Sequence, residues 1–150
     1  AVESVPSMST KTTSPTFDSY EYDTSSVTLV KFANGALGKT AAIVDCLQPY
    51  YFHTHLVGSE GSVLDDRFTS MKLSKERNAW HRLTMKMCDS GDVSDHPYQT
   101  QFQAFFNALD RGEEMPLTSF SDAARTFEVI FAADQSANNG GQPVAPQPFS

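Results

Sequence analysis

From Val27 to Leu64 the chain alternates short β-branched and aromatic runs with turn residues, VTLVKFANGALGKTAAIVDCLQPYYFHTHLVGSEGSVL. This pattern predicts several strands of one antiparallel sheet. Val27 to Phe32 is the first run, Asn34-Gly35 supplies the residues that most readily take the positive φ of a tight hairpin, and Ala36 to Cys46 returns as the second strand. Gln48-Pro49 makes a corner, because proline has no N–H to give a ladder. Tyr51 to Val57 then reads as a third strand, and Gly58-Ser59-Glu60-Gly61 turns it into a short fourth at Ser62 to Leu64. Asp65-Asp66 reads as a turn, Arg67 to Leu73 as a strand with Phe68 and Met71 available for packing, and Ser74 to Asn78 as a charged hairpin tip. Trp80 to Met87 alternates: Trp80, Arg82, Thr84 and Lys86 share one face, His81, Leu83, Met85 and Met87 the other.

After the polar segment Asp89 to Asp95 the apolar period changes from two to about 3.6. Tyr98, Phe102, Phe105, Phe106 and Leu109 form a stripe along one helix face, with Pro97 near the first turn and Gly112 just past the end. A second helix starts near Ser119 to Asp122, where hydroxyls and a carboxylate suit an N-terminus, and runs to Asn138 or Asn139 before Gly140-Gly141. Ala123, Phe127, Ile130, Phe131 and Ala137 carry its apolar face, while Ala132-Ala133 gives a narrow side. Strands followed by two helices predict an α+β fold: two layers, an open, mainly antiparallel sheet with helices packed on one face. The other sheet face carries many apolar residues and is expected to meet a ligand, another domain or another subunit.

Residues 1–16 are rich in Ser, Thr and Pro with almost no large apolar side chains, so they are expected to form a loose arm. A compact domain seldom begins this way, which implies a chain cut from a longer one. Phe17 to Tyr22 reads as an edge strand or turn, and the tail GQPVAPQPFS as extended.

Composition narrows the functions. The 150 residues are 39% hydrophobic with a formal net charge of -7, ordinary for one domain. An acidic chain with eleven dispersed Lys and Arg has little affinity for phosphate backbones, so no nucleic-acid partner is expected. No apolar run approaches the ~20 residues of a membrane span, so no membrane partner is expected and the location reads as cytoplasmic. Cys46 and Cys88, two and far apart, read as buried or idle thiols.

His53-Thr54-His55 is the most conspicuous cluster. On a strand both imidazoles face one side, yet nothing nearby supplies the three or four ligands zinc usually needs, so no metal is expected. His81 and His96 read as structural. There is no nucleophile elbow, and the acids Asp65-Asp66, Asp89, Asp92, Asp95 and Glu113-Glu114 look solvated. No G-x-G-x-x-G follows a strand, and Gly35-x-x-Gly38 lies in a hairpin, so this chain should hold no NAD(P) itself.

Four blocks occur in an order that resembles one family: F-A-N-G-A-L-G at Phe32 to Gly38, L-V-G-S-E-G-S at Leu56 to Ser62, Q-F-Q-A-F-F-N-A-L-D-R-G at Gln101 to Gly112, and the close from Asp122 to Val144. They look like the C-terminal domain of the glucose-fructose oxidoreductase / inositol dehydrogenase / MocA (Gfo/Idh/MocA) oxidoreductases. The resemblance covers about Asp23 to Val144. It implies a missing N-terminal Rossmann domain holding NAD or NADP, a sugar or polyol substrate, and a homo-dimer or homo-tetramer assembled through the open sheet face. The family's catalytic lysine, in E-K-P, and its D-x-x-x-H pair are both absent here, so no catalytic residue is assigned and the separate chain is expected to be inactive.

The resemblance divides the chain into 1–22, an arm continuing from that missing domain and its catalytic helix; 23–144, the substrate-side and oligomerisation domain; and 145–150, an extended tail. It also implies that an aromatic residue within Cys46 to Gly61 reaches the substrate pocket. Tyr50 is the nearest match, a ring for a sugar face with a hydroxyl donor, or else a corner tyrosine filling core space beside Pro49. Gln48 and His53 are weaker substrate-binding candidates. Two other readings compete: a stand-alone interaction or assembly module without redox activity, and a small metal-dependent enzyme using His53 and His55.

Overall fold

Alternation and turn chemistry produce eight strands and two helices among the residues that the computed structural model describes, 1–12, 16, 20–49, 52–73, 79–84, 96 and 98–149. In chain order these are β1 (Val2–Ser4), β2 (Ser7–Thr10), β3 (Ser25–Phe32), β4 (Leu37–Ile43), β5 (His55–Val57), β6 (Gly61–Leu64), β7 (Arg67–Ser70), β8 (His81–Arg82), α1 (Tyr98–Arg111) and α2 (Phe120–Asn138). The class is α+β and every strand pair is antiparallel. The described strands fall into two sheets rather than the single sheet expected of Val27 to Leu64. They belong to two units, Ala1–Leu47 with Gln99–Ser150, and Gln48–Tyr98.

In the first unit β3 is central. β4 pairs along it from Ser25↔Ile43 to Lys31↔Leu37, returning through the Asn34-Gly35 turn. There Gly35 sits at φ 86°, its N–H donates to the Phe32 carbonyl at 2.9 Å, and Asn34 Oδ1 accepts the Ala36 N–H at 3.1 Å. On the other side of β3 lie β2 and β1, in a segment expected to be a loose arm. That expectation is corrected: ladder bonds use backbone groups that Ser and Thr supply as well as any residue, and Val5 anchors the strand, fully buried. Pro6 interrupts it where its missing N–H does no harm, while its carbonyl accepts the Leu29 N–H at 2.9 Å. Tyr20 to Tyr22 form no strand, and Phe17 lies outside the described residues.

Helix α2 closes the outer edge of β2. Ser136, 0% exposed, accepts the Ser7 N–H on its Oγ at 2.8 Å and faces the Ser7 carbonyl at 3.5 Å. Ser7 Oγ in turn bonds Thr28 Oγ1 at 2.8 Å, directly across the ladder. Past the helix, Val144 bridges Val5, whose N–H donates to the Val144 carbonyl at 2.8 Å. The helix ends carry the expected caps. Ser119 Oγ accepts the Asp122 N–H at 3.2 Å, and Gly112, Gly140 and Gly141 take positive φ.

The packed side of each helix is not the aromatic one. On α1, Ala108 is buried while Tyr98, Phe102, Phe105, Phe106 and Leu109 stay roughly half exposed; on α2, Ala132 and Ser136 are buried and Phe127, Ile130 and Phe131 are not. On the sheet, Met8, Val27, Leu29 and Ile43 share the face opposite Ser7 and Thr28, and all four are exposed.

In the second unit β5 to β8 form a meander. Gly58 N–H donates to the Gly61 carbonyl at 2.9 Å to close the first turn, and a Cβ at Gly61 would run into the Thr69 carbonyl oxygen, so glycine is required there. The third strand is shorter than its pattern: residues 52–54 are not strand, and pairing begins at His55. Likewise β7 ends at Ser70, and of Trp80 to Met87 only His81–Arg82 pairs among the described residues. The Ser74 to Asn78 tip, Met85 to Asp95 with Cys88, and Pro97 lie outside the described residues.

Replacing Ser136 by Ala strands the Ser7 N–H at a buried edge. We expect a loss of about 1–3 kcal/mol of unfolding free energy in denaturant titrations, with faster hydrogen exchange at the Ser7 amide. Ser121→Ala, at an exposed site, should change little.

Candidate functional site

Two consecutive carboxylates in the β6–β7 turn gather the chemistry-bearing side chains of the second unit. Asp65 adopts φ 53°, a left-handed conformation that Asp tolerates better than most residues. It is tied to Thr54 twice through the backbone: its N–H donates to the Thr54 carbonyl at 2.8 Å, and its Oδ1 accepts the Thr54 N–H at 2.8 Å. Its other oxygen, Oδ2, lies 2.9 Å from His53 Nδ1. Asp66 turns toward β8: Oδ2 meets Arg82 Nε at 2.8 Å and Oδ1 lies 3.9 Å from Arg67 Nε, while the Leu83 N–H donates to its carbonyl at 2.6 Å. One tight turn thus orients an imidazole on one side and two guanidiniums on the other.

The electrostatics follow from those contacts. The Thr54 N–H, then the charges of His53 and Arg67, hold the Asp65 carboxyl below its ordinary value against the opposing effect of desolvation. The same contact sets the His53 ring with Nδ1 toward the carboxylate. The arrangement gathers hydrogen-bonding groups of both signs around one turn.

The sequence candidates are placed unevenly. His53 joins the turn and remains half exposed, with its side chain 53% accessible. Gln48 is exposed at the start of the unit. Tyr50 lies outside the described residues. His55, in β5, pairs with Leu64. His53 therefore precedes the strand and does not share a strand face with His55, and among the described residues no three His, Cys, Asp or Glu gather as metal ligands. His81 lies against Phe68 with ring centres 5.5 Å apart, and His96 stacks on Tyr98 at 5.4 Å. Cys46 is a free, exposed thiol rather than a buried one. In the first unit Asp45, at φ 55°, accepts from Thr16 Oγ1 and Tyr20 OH, both at 3.0 Å, and so pins residues from the arm to the end of β4.

Sequence reasoning read Asp65-Asp66 as a solvated turn and did not single out Arg67 and Arg82. The available signal was the acid pair directly ahead of an arginine, with a histidine twelve residues earlier at His53.

No family model and no curated protein sequence matches the chain. Solved structures do. Levoglucosan dehydrogenase in complex with NADH and levoglucosan is 16% identical over 99% of this chain and 45% of its own length, at a TM-score of 0.77. The WlbA dehydrogenase from Bordetella pertussis, in complex with NADH and UDP-GlcNAcA, is 16% identical over 99% and 40%, at 0.64. An oxidoreductase from Agrobacterium radiobacter, in complex with NAD+, L-tartaric acid and magnesium, is 18% identical over 96% and 43%, at 0.67. The chain thus has the fold of the C-terminal domains of such dehydrogenases, and it spans less than half of their length.

The Asp65 contacts predict the acid behaviour of the turn. A carboxyl with a lowered folded value adds stability that is fully present above its ordinary 3.8 and is lost as the pH falls through the folded value. The Thr54 amide, followed by hydrogen exchange, should therefore stay protected at neutral pH and open on acidification below 3.8. Asp65→Asn, which keeps an acceptor oxygen and suits positive φ, should remove most of that pH dependence while leaving the turn closed at neutral pH.

Proposed function

We propose that this chain is the C-terminal, substrate-side domain of an NAD-dependent oxidoreductase of the glucose-fructose oxidoreductase, inositol dehydrogenase and MocA type, acting on a sugar, polyol or related hydroxy compound. The observation that carries the reading is the match of nearly the whole chain to less than half of levoglucosan dehydrogenase. It agrees with the four sequence blocks that resemble this family. In this reading the missing half supplies a Rossmann domain, the hydride carrier and the proton-transferring lysine and Asp/His groups. The segment 1–22 continues from it, 23–144 is the substrate-side and assembly domain, and 145–150 is a tail. NADP remains the alternative carrier, since that choice is made in the Rossmann half.

Within this domain His53, whose Nδ1 faces Asp65, and Tyr50 and Gln48, which precede it in the sequence, are the substrate-side groups. The isolated chain carries out no turnover, because nothing in its sequence provides a phosphate cradle.

The exposed face of Met8, Val27, Leu29 and Ile43 forms the assembly surface. A twofold contact there buries the same apolar patch on both subunits, giving a dimer or a pair of dimers. The same exposed faces favour the second reading, a stand-alone assembly module without redox activity.

Four measurements test these readings. The isolated chain should leave NADH fluorescence unchanged, and saturable binding would overturn the division of labour. In the intact protein Tyr50→Phe should lower kcat/KM for the hydroxy substrate about 3- to 10-fold with cofactor affinity unchanged; an unaltered kcat/KM returns Tyr50 to a packing role. Leu29→Asp should shift the protein to smaller species in sedimentation; an unchanged distribution would remove this face from the assembly. An intact protein that oxidises no polyol or sugar with either nicotinamide carrier would favour the module.

A further inference from the structure

The register of the meander gives its two faces different chemistry. Cross-strand partners run His55↔Leu64, Leu64↔Arg67 and Arg67↔Arg82 in one row, and Val57↔Ser62 and Ser62↔Thr69 in the next row on the same side. Residues of the other parity form the row Leu56, Val63, Phe68 and His81. One face is thus largely apolar, while the other presents two guanidiniums, an imidazole and two hydroxyls around Leu64 and Val57.

Arg67 and Arg82 stand directly opposite each other, an arrangement of like charges that weakens a sheet. Among the described residues Asp66 is the one carboxylate within 4 Å of either guanidinium, at 2.8 Å from Arg82 and 3.9 Å from Arg67. Two positive charges therefore share one negative charge, in a chain whose formal net charge is -7. The geometry is also directional. Asp66 Oδ2 approaches Arg82 at its Nε, and the Arg82 side chain remains 75% exposed. Arg67 is held loosely and remains 46% exposed. Ser62 and Thr69 lie one row along on the same face, while Lys72, past the end of β7, is paired with Glu60 at 2.9 Å and stands apart from the two guanidiniums.

We propose that Arg67 and Arg82 form a receptor for an oxyanion, the carboxylate or phosphate group of a small molecule. Adjacent strands lie about 4.8 Å apart, so two guanidinium forks on opposed residues reach the oxygens of one such group. Asp66 is a positioning residue: it fixes Arg82 and offsets one of the two charges while the site is empty. Bound anion supplies the second countercharge, and the Ser62 and Thr69 hydroxyls offer donors to the rest of the ligand. This site stands on the register of the sheet. Only one further step rests on the oxidoreductase reading: if the ligand is that enzyme's substrate, the substrate is an acidic or phosphorylated sugar rather than a neutral one.

The test is a titration of this chain, with the arginine Nε–H and backbone amide signals followed by NMR, using D-gluconate, inorganic phosphate and D-glucose as probes. Saturable shifts centred on Arg67, Arg82 and Thr69 are expected with gluconate or phosphate and not with glucose, and the tighter of the two anions identifies which group the site takes. Arg82→Gln and Arg67→Gln should each weaken binding about ten-fold, and Lys72→Gln should leave it unchanged. Arg67→Lys keeps the charge but loses the fork, so it should also weaken binding while disturbing the sheet least. Shifts spread evenly over Lys39, Lys72 and the arginines, or affinities that ignore Arg82→Gln and Arg67→Lys, would reduce the pair to a surface ion network and overturn the proposal. Anion binding by a protein whose intact form shows no nicotinamide-linked chemistry would leave this site standing and remove the oxidoreductase reading instead.

Discussion

The first unit depends on how one strand edge is closed. An open edge presents a row of unmet N–H and C=O groups, and the segment Val2 to Thr10 has little apolar side-chain surface to hold it in place. Ser136 meets the Ser7 backbone with a single hydroxyl that accepts from its N–H and faces its carbonyl, and Val144 meets Val5 as a bridging residue. These contacts join residues more than a hundred positions apart. They tie α2 to β2, and the buried Ser7–Thr28 bond carries that tie into β3. Small residues make this approach possible: with Ala132 and Ser136 on the packed side, the helix backbone comes close to the strand, and a larger residue at either position would push it away.

The second unit is organised by polarity rather than by a core. Asp65 and Asp66 are neighbours in the chain, yet the left-handed conformation of the first sends their carboxylates to different partners, the imidazole of His53 and the guanidiniums of Arg67 and Arg82. Five titratable side chains on three sequence segments are held around one turn by backbone bonds to Thr54 and Leu83. Such a turn gathers an imidazole, two carboxylates and two guanidiniums beside a sheet with one largely apolar face.

What the helices leave outside is as informative as what they bury. The aromatic stripes of α1 and α2 and the Met8, Val27, Leu29 and Ile43 face are the most hydrophobic surfaces of the first unit, and all are largely exposed. Exposure on this scale exceeds the scattered apolar residues of an ordinary surface. It fits a domain that shares the fold of a dehydrogenase half and spans less than half the length of those enzymes.

Local rules were legible in the sequence. The Asn34-Gly35 hairpin, the Gly58 to Gly61 turn, the Ser119 cap and the glycines after each helix were all readable, because φ preference and capping act within a few residues. The α+β class followed from their order. Three things came only from tertiary structure. Residues 2–10 become strands because a ladder partner and the Ser136 hydroxyl arrive from far along the chain, which composition does not record. His53 leaves the strand pattern because Asp65 competes for it, so the site formed around a turn instead of an H-x-H pair. Finally, periodicity shows which residues share a helix face and not what lies against it: the aromatic stripes were correctly placed along the helices, but packing selected the small-residue side, because only small side chains let the α2 backbone reach the edge of β2.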